Sequence, residues 1–414
     1  MSNSCFRRND CRLCQSNSLT KILSLEPTPP ANAFVDKEAR NKVQDKFPLD
    51  VYFCEDCAHV QLIDVVDPKM LFENYVYVSG TSPVFVKHFE GYANSMQTRF
   101  HLTKDDMVLD IGSNDGTLLK AFKNKRMRVL GVDPAIEIAK AATIKGIETL
   151  PEFFTPTLAK KIKEKYGSFA LITGNNVFAH ADELKEIIKG ARKLLRANGV
   201  FVFEVSYLID VFEKTLFDTI YHEHLAYHSV KPLIKFFSQQ SMELFAVERI
   251  SSHGGSLRGM VQLKGGPHRK DGSVEELLTL ESKLGLDRAL TLQKFGEKID
   301  GIKAELKSLL KRLKNEGKVI AGFGAPAKAT TLMYHLEIGP EIIDFIVDDN
   351  PLKQGLFSPG HHIPIYSSKA IETYKPDYLV ILAWNFASPI IKKLTAFRKS
   401  GGHFITPLPK VEIL

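Results

Sequence analysis

Hydrophobic and polar positions along the chain follow the periods of strands and helices in alternation. Short apolar runs at 108–111 and 128–133 are typical of buried parallel strands, and stretches with a helical period lie between and after them. In chain order, the pattern predicts a helix at 83–100, strands at 108–111 and 128–133, a helix at 135–145, a strand at 169–173, a helix at 182–196 and a strand at 199–204. Repeated β-α units of this kind predict a doubly wound sheet.

The pattern changes toward the C-terminus. Residues 243–247 and 257–263 are predicted to be strands that finish the sheet, and a polar, glycine-containing stretch at 265–272 indicates a domain boundary. Charged helical patterns follow over 275–315, and a second series of apolar strands then begins. The chain is therefore predicted to be an α/β protein with domains at 1–80, 81–266 and 267–414.

The turn after the strand at 108–111 has the composition of a ligand-binding loop. Gly112 and Gly116 allow the backbone to approach a ligand, and Asn114 tolerates a left-handed conformation. The form Asp-x-Gly-x-Asn-x-Gly differs from the dinucleotide fingerprint and is closer to the first motif of class I S-adenosylmethionine methyltransferases. Asp133 ends the next strand, where a ribose diol needs an acceptor; a turn without a ligand is the alternative. The predicted cofactor-binding residues are Asp110, Gly112, Asn114, Asp115, Gly116, Asp133 and Asn175.

Two Cys-x-x-Cys pairs near the N-terminus predict a metal site. Cys11 with Cys14, and Cys54 with Cys57, can deliver four thiolates to a tetrahedral zinc ion. Such a zinc is structural because no ligand position is left for water; four unrelated buried cysteines are the alternative. The proline-rich stretch between the pairs predicts a module with little helix or sheet, and the fifth cysteine is assigned no role.

The densest group of titratable side chains lies at 219–229, around Tyr221, His222, Glu223 and His224. Its spacing is poor for a metal site, whereas a histidine poised near neutral pH, with a tyrosine or carboxylate to orient it or to stabilise an oxyanion, suits acid–base catalysis. A solvated polar helix start is the alternative.

Two further groups are candidates for the same site. His180 ends a loop that follows the predicted strand at 169–173, and ligands in such sheets lie at the carboxyl ends of strands. A histidine satisfied by its surroundings is the alternative. Tyr75 and Tyr77 share one face if their segment is extended, although ordinary core tyrosines would show the same spacing.

Two glycine-containing loops suggest anion binding. His253 and Arg258 bracket a Gly-Gly turn, and the arginine could meet an anion, while a simple tight turn is equally compatible. Gly-x-Gly-x-x-Ala at 322–327 follows an apolar strand, with Pro326 predicted in the first turn of a helix whose N-terminus would face phosphate. A strand at 342–347 leads to Asp348, placed to meet a ribose hydroxyl.

Charge and composition argue against nucleic-acid-binding and membrane proteins. The formal charge of +7 is spread over helices, so it argues weakly for anionic small molecules and poorly for nucleic acid. We find no apolar run of membrane-spanning length and no signal peptide, so we expect a cytoplasmic protein without a membrane partner.

Three signals together resemble the nucleotide-sugar C-methyltransferases of deoxysugar biosynthesis: the cysteine pairs, the Asp-Ile-Gly-Ser-Asn-Asp-Gly-Thr loop and Tyr-His-Glu-His at 221–224. Stretches at 176–180, 253–258 and 324–328 are also similar to that family. The resemblance implies a small zinc-binding N-terminal domain, a class I methyltransferase domain that binds S-adenosylmethionine, and a C-terminal Rossmann-like domain that helps to hold a sugar nucleotide. The family methylates C-3 of a 4-keto-6-deoxy sugar linked to a nucleoside diphosphate, commonly dTDP.

The resemblance also implies roles for individual residues. It makes His224 the base, places Tyr221 near the keto oxygen, and has Glu223 and His180 orient this pair. Tyr75 resembles a tyrosine that the family contributes from the edge of its N-terminal domain, with Tyr77 as the other possible match. The residues expected to contact the substrate are Tyr77, His222, His253, Arg258, Gly324, Ala325 and Lys328, and diphosphate is expected at the last three.

Other functions stay open at this point. An N- or O-methyltransferase needs only one base and no enolate, but it leaves much of the 221–224 cluster without a role. A zinc-ribbon enzyme that modifies RNA is disfavoured by the scattered lysines, and a binding protein without catalysis is disfavoured because every candidate catalytic residue is present. We expect a monomer, and the sequence specifies neither the sugar, the nucleotide nor the stereochemistry.

Overall fold

The structure, a computed structural model, describes residues 4–72, 80 and 83–414. Tyr75 and Tyr77 lie outside these residues, as does the side chain of His253, so their predicted roles stay predictions. The N-terminal elements are β1 Cys5–Arg7, β2 Leu19–Thr28, β3 Phe47–Cys54, β4 Val60–Leu62, β5 Asp64–Val66 and α1 Pro68–Phe72.

The N-terminal domain contains more regular structure than the sequence predicted. Strands β2, β3 and β4 form an antiparallel sheet, which a strand of the middle domain, β11 (Ala226–Tyr227), extends at the β4 edge. The prediction of little helix or sheet is wrong because β3 buries Phe47, Leu49, Val51 and Phe53 at alternate positions. This period of two provides the module with an apolar sheet face in addition to its cysteines.

The middle domain is a doubly wound sheet, as predicted. Its strand order is β12-β13-β10-β9-β6-β7-β8, in which β10, β9, β6, β7 and β8 are parallel and β12 and β13 form an antiparallel edge. Its elements are α2 Pro83–Phe100, β6 Met107–Ile111, α3 Thr117–Asn124, β7 Arg128–Val132, α4 Ile136–Ile144, β8 Thr149–Leu150, α5 Pro156–Tyr166, β9 Phe169–Asn175, α6 Leu184–Leu194, β10 Leu195–Ser206, α7 Leu208–Glu213, β11 Ala226–Tyr227, α8 Val230–Gln239, β12 Met242–Ile250 and β13 Ser256–Leu263.

The pairing of β6 with β9 brings the two main loops of the site together. All five residues of β6 are buried, as expected for a central strand covered by helices on both faces. Because β6 and β9 are parallel neighbours, the loops at 112–116 and 175–180 leave the same edge of the sheet. This is the edge at which doubly wound sheets bind their ligands.

The C-terminal domain is a second α/β unit, with strand order β16-β15-β14-β17-β18-β19. Its elements are α9 Ser273–Lys283, α10 Ala289–Asn315, β14 Ile320–Phe323, α11 Ala329–His335, β15 Ile346–Val347, β16 Ile365–Tyr366, α12 Lys369–Tyr374, β17 Tyr378–Ile381, α13 Ala387–Lys393, α14 Thr395–Lys399, β18 His403–Thr406 and β19 Glu412–Ile413. Within residues 4–72 and 83–414, no helix is both long and apolar enough to cross a membrane.

Two local predictions in this domain are wrong. The strand expected at 342–347 is confined to Ile346–Val347, because Ile342 and Ile343 donate their N–H groups to the carbonyl of Gly339 in a turn. Pro326 precedes the helix instead of lying in its first turn, since the helix begins at Ala329.

Candidate active site

The four cysteines of the N-terminal pairs converge on one point. Their Sγ atoms all lie within 4.8 Å of one another. The two turns have the same form: the N–H of Gln15 donates to the carbonyl of Cys11, and that of Ala58 to Cys54, each at 2.8 Å. Four sulfurs in this arrangement fit a zinc ion as its complete ligand set, so the metal stabilises the fold and has no open position for catalysis.

The loop after β6 has the backbone conformation that the sequence predicted. Gly112 and Gly116 have φ angles of 71° and 75°, and Asn114 adopts the left-handed region with φ 49°. A Cβ at Gly112 would lie 2.5 Å from Cγ2 of Val177, in the loop after β9. Glycine is therefore required there for two reasons, and the two loops are in close contact.

Two buried aspartates lie beneath this loop. The carboxylate of Asp133 accepts the N–H of Asn114 at 2.7 Å and that of Ala135 at 2.9 Å, and burial raises its pKa. Asp110 accepts the hydroxyl of Thr173 at 2.6 Å, and burial raises its pKa to about 7. Asp133 thus stands where the sequence analysis expected an acceptor for a ribose.

Asn175 provides an independent sign that a ligand belongs here. It is the last residue of β9, and both polar atoms of its amide are buried without a hydrogen bond of good geometry among the described residues, the Tyr92 hydroxyl being its polar neighbour. A buried amide without partners costs free energy unless something satisfies it. Together with the glycine loop and Asp133, this residue fits S-adenosylmethionine. Asp115 instead accepts the hydroxyl of Thr117 at 2.7 Å, at the start of α3.

His224 has a defined ring orientation, and one hydrogen bond determines the tautomer of its neutral form. Its Nδ1 lies 2.7 Å from the carbonyl oxygen of Thr219. Because a carbonyl can only accept, Nδ1 carries the hydrogen, and Nε2 of the neutral ring has the lone pair. The ring centroids of Tyr221 and His180 lie 4.1 and 4.9 Å from that of His224. The structure therefore brings these three predicted residues together.

The neighbouring residues of the 221–224 stretch contact the N-terminal domain. His222 is buried with Nε2 3.1 Å from the carbonyl oxygen of Phe47, and burial lowers its pKa to about 4. Glu223 is buried and accepts a hydrogen bond of 2.8 Å from the amide of Asn32. Asn32 is a residue that sequence reasoning missed, because nothing in its proline-rich stretch indicates a partner far along the chain.

Arg258 lies among acidic groups. Its Nε donates to Glu204 at 2.7 Å and its Nη1 to Glu248 at 3.0 Å, while the guanidinium carbon lies 4.4 Å from the ring centroid of Tyr92. Two carboxylates bind the single positive charge and exceed it, so the environment of this residue is not that of an exposed anion receptor. Its predicted contact with the substrate stays a prediction.

The glycine loop of the C-terminal domain repeats a contact of the first loop. Gly324 has φ 89°, and the N–H of Ala325 donates to Asp348 at 2.6 Å, as Asn114 donates to Asp133. Lys328 does not point to open solvent: its Nζ lies 3.1 Å from the carboxylate of Asp218.

Asp218 and Trp384 are further residues that the sequence analysis missed. The indole N–H of Trp384 donates to Oδ2 of Asp218 at 2.6 Å, and the aspartate side chain has no exposed surface. One signal was present: Asp218 immediately precedes the cluster at 219–229. Its partners lie 110 and 166 positions further on, so sequence spacing does not reveal them.

Two solved structures are each similar to a little under half of the chain. A magnesium protoporphyrin IX methyltransferase from Synechocystis PCC 6803, solved with bound SAM, has a TM-score of 0.33 and 13% identity over 44% of this chain and 79% of that chain. An S-adenosylmethionine-dependent methyltransferase from Clostridium acetobutylicum ATCC 824 has a TM-score of 0.36 and 15% identity over 44% of this chain and 92% of that chain.

Comparison with known sequences covers nearly the whole chain. Models described as a zinc binding domain, a methyltransferase domain and a C-methyltransferase C-terminal domain match residues 11–72, 89–247 and 251–409. The C-methyltransferase NovU of Streptomyces niveus is 33% identical over 406 residues, which are 98% of this chain and 97% of that protein. With the cysteine cluster and the doubly wound sheet in place, the chain belongs to the C-methyltransferase family.

Proposed function

We propose that this protein transfers the methyl group of S-adenosylmethionine to C-3 of a 4-keto-6-deoxy sugar carried on a nucleoside diphosphate, through an enolate. The observation that carries the proposal is the geometry of His224. A hydrogen bond of 2.7 Å to Thr219 leaves the lone pair of the neutral ring on Nε2, and Tyr221 and His180 lie against the same ring. This arrangement suits a general base with polar groups beside it.

Carbon methylation explains why more than a single base is needed. A carbon next to a ketone becomes nucleophilic when it loses a proton, and the electron pair then spreads onto the keto oxygen. In our proposal, His224 Nε2 takes the C-3 proton, and the hydroxyl of Tyr221 donates a hydrogen bond to the enolate oxygen. S-adenosylmethionine supplies the electrophilic methyl group. The new bond forms from C-3 to this methyl as the bond from the methyl to sulfur breaks.

The methyl donor is assigned to the first glycine loop. Gly112 gives close backbone approach, Asp133 accepts hydrogen bonds at the position of a ribose diol, and Asn175 offers an unsatisfied amide at the same edge of the sheet. Gly112 and the loop after β9 are in contact, and His180 ends that loop. The His180 ring lies 4.9 Å from that of His224, so this loop links the site assigned to the donor with the proposed base.

The nucleotide is assigned to the second glycine loop. Gly324 and Ala325 follow a parallel strand, and Asp348 accepts the Ala325 N–H at 2.6 Å, as a ribose-binding acid would be placed. The Lys353 ammonium donates to the carbonyl of Ala325 at 2.7 Å, which adds positive charge beside the loop. These contacts support a nucleotide on the C-terminal domain.

The test uses the purified protein with S-adenosylmethionine and dTDP-4-keto-6-deoxyglucose, or its 3-amino analogue, in deuterated water. We expect deuterium to replace the C-3 proton of substrate that has not yet been methylated, and the product to gain one methyl group on C-3, which then carries no hydrogen. His224→Asn should lose both reactions, while His403→Asn, at the exposed first residue of β18, serves as the matched control. Methylation of oxygen, nitrogen or RNA without exchange at C-3 would contradict the proposal.

A further inference from the structure

A buried polar cluster joins the C-terminal domain to the loop that carries the base. Oδ2 of Asp218 accepts the indole N–H of Trp384 at 2.6 Å and lies 3.1 Å from Nζ of Lys328. The same ammonium lies 4.5 Å from the Trp384 ring centroid. The side chain of Asp218 has no exposed surface and that of Lys328 is 15% exposed, so both charges are almost fully removed from water.

This cluster adjoins the carbonyl that orients His224. Thr219, whose carbonyl accepts the His224 Nδ1–H, directly follows Asp218. The next residue, Ile220, is also held from the C-terminal domain, because its carbonyl accepts the hydroxyl of Thr331 at 2.8 Å. The backbone is thus held on both sides of the Thr219 carbonyl by residues of the glycine loop, of α11 and of the segment after β17.

The buried carboxylate of Asp218 depends on Lys328 and Trp384 for its stability. A buried carboxylate is tolerated only when hydrogen bonds and an opposite charge compensate it. Oδ1 of Asp218 is buried with no partner among the described residues, so the compensation falls on Oδ2 alone. Loss of Lys328 or Trp384 would leave the carboxylate under-compensated and favour a shift of residues 218–220.

We propose that Asp218 is a positioning residue for His224, and that Lys328 and Trp384 act on the reaction through Asp218. The inference rests on the proposed function, since it takes His224 as the base. It also revises the role expected for Lys328. Its ammonium holds residues 218–224, the loop that carries the base, and the nucleotide is then expected to bind Gly324, Ala325 and Lys353. Docking of the C-terminal domain then orients the base as well as holding the substrate.

The two roles of Lys328 predict different kinetics. A lysine that only binds diphosphate contributes to substrate affinity, so its loss raises KM and leaves kcat largely unchanged. A lysine that positions the base has the opposite effect, because a small displacement of a reacting group costs roughly ten- to a hundredfold in rate. Proton exchange at C-3 measures the base directly, without methyl transfer.

The variants are Asp218→Asn, which keeps an acceptor for Trp384 but loses the charge, Trp384→Phe, which keeps a ring, and Lys328→Met. Lys314→Met is the matched control, because it removes an ion pair with Asp344, beside the opposite end of β14. For each protein, kcat, KM, the melting temperature and the rate of C-3 exchange without S-adenosylmethionine are measured with the same keto-sugar nucleotide.

We expect the three variants to lose kcat and exchange rate together by about tenfold or more, with KM changed by less than about threefold. The Asp218→Asn/Lys328→Met double variant should be no slower than Asp218→Asn alone, since the two residues act through one contact. A raised KM with normal exchange, or additive losses, would overturn the inference. If Asp218→Asn does not fold, Trp384→Phe decides by the same criteria.

Failure of the proposed function gives a different result. A wild-type protein without C-3 exchange contradicts the enolate reaction itself, whereas wild-type exchange that the variants retain contradicts only the positioning role.

Tryptophan fluorescence is a second measurement that does not depend on the substrate, because Trp384 is the single tryptophan of the chain. Asp218→Asn should change the emission and Lys314→Met should not. Unchanged emission in Asp218→Asn would overturn the inference.

Discussion

The carboxylate of Asp133 accepts the backbone N–H of Asn114 across 2.7 Å, so the end of β7 is joined to the glycine loop after β6. Nineteen positions separate the two residues, and parallel pairing of β6 with β7 brings them together. The contact holds the loop in its left-handed turn and places a carboxylate where the donor's ribose is expected.

The first prediction concerns this carboxylate. Asp133→Asn should weaken binding of S-adenosylmethionine by roughly ten- to a hundredfold, because hydrogen bonds to a charged group contribute about 1.5–3 kcal/mol. Isothermal titration calorimetry measures the affinity. Asp105→Asn is the control, since this aspartate is exposed near the other end of β6. Equal affinity in wild type and Asp133→Asn would show that the ribose lies elsewhere.

The second prediction concerns Tyr221. Tyr221→Phe keeps the ring that lies 4.1 Å from His224 but removes the hydroxyl assigned to the enolate oxygen. The loss of one such donor costs about 10²–10³ in kcat in well-studied cases, and we expect a fall of that order. Steady-state kinetics with saturating donor measure it. Tyr374→Phe, at an exposed tyrosine of α12, should be neutral; an unchanged kcat in Tyr221→Phe would remove the residue from the mechanism.

Features that depend on neighbouring residues can be predicted from this sequence. The strand and helix periods of the middle domain, the glycine turn with its left-handed Asn114, and the cysteine pairs all have local causes. The convergence of His180 and His224 was implied by the family resemblance, whereas the strand pattern alone places only His180 at the carboxyl edge of the predicted sheet. The sequence therefore predicts both a ligand-binding glycine turn and histidines suited to acid–base catalysis.

Features that depend on contacts between domains are not accessible in this way. The cluster at 221–224 appears uniform in sequence, yet His222 and Glu223 contact Phe47 and Asn32 of the N-terminal domain. The path of a short loop determines which domain each of its residues faces. A loop has no repeating hydrophobic pattern, so the sequence does not indicate this path. Arg258 shows a related limit within one domain, since it forms ion pairs with Glu204 and Glu248 on the two strands beside its own.

The third prediction concerns zinc. The purified protein should contain one zinc ion per chain, and Cys14→Ser should lose it and melt at a much lower temperature. Zinc-finger sites bind with an apparent free energy of about 10–16 kcal/mol, which is comparable to the entire stability of a domain. Elemental analysis and thermal melting test this. Cys5→Ser is the control. Cys5 lies outside the sulfur cluster, so the variant protein should keep its zinc.

The last prediction concerns the pH dependence of stability. Burial raises the pKa of Asp110 to about 7, whereas an unfolded aspartate titrates near a pH of about 3.9. Between these values the folded protein holds a proton that the unfolded chain has released. The contribution of this group to stability is therefore complete below a pH of about 4, declines as the pH rises to about 7, and is constant above.

Asp110→Asn removes this dependence, because an amide does not ionise. The free energy of unfolding of the variant minus that of wild type should therefore increase with pH across this window, by at most about 1.4 kcal/mol per pH unit. Urea unfolding without cofactor, repeated at several pH values, measures the difference. Asp105→Asn, at an exposed aspartate, serves as the control variant. A flat difference for Asp110→Asn would mean that the carboxyl ionises as readily in the folded protein as in the unfolded chain.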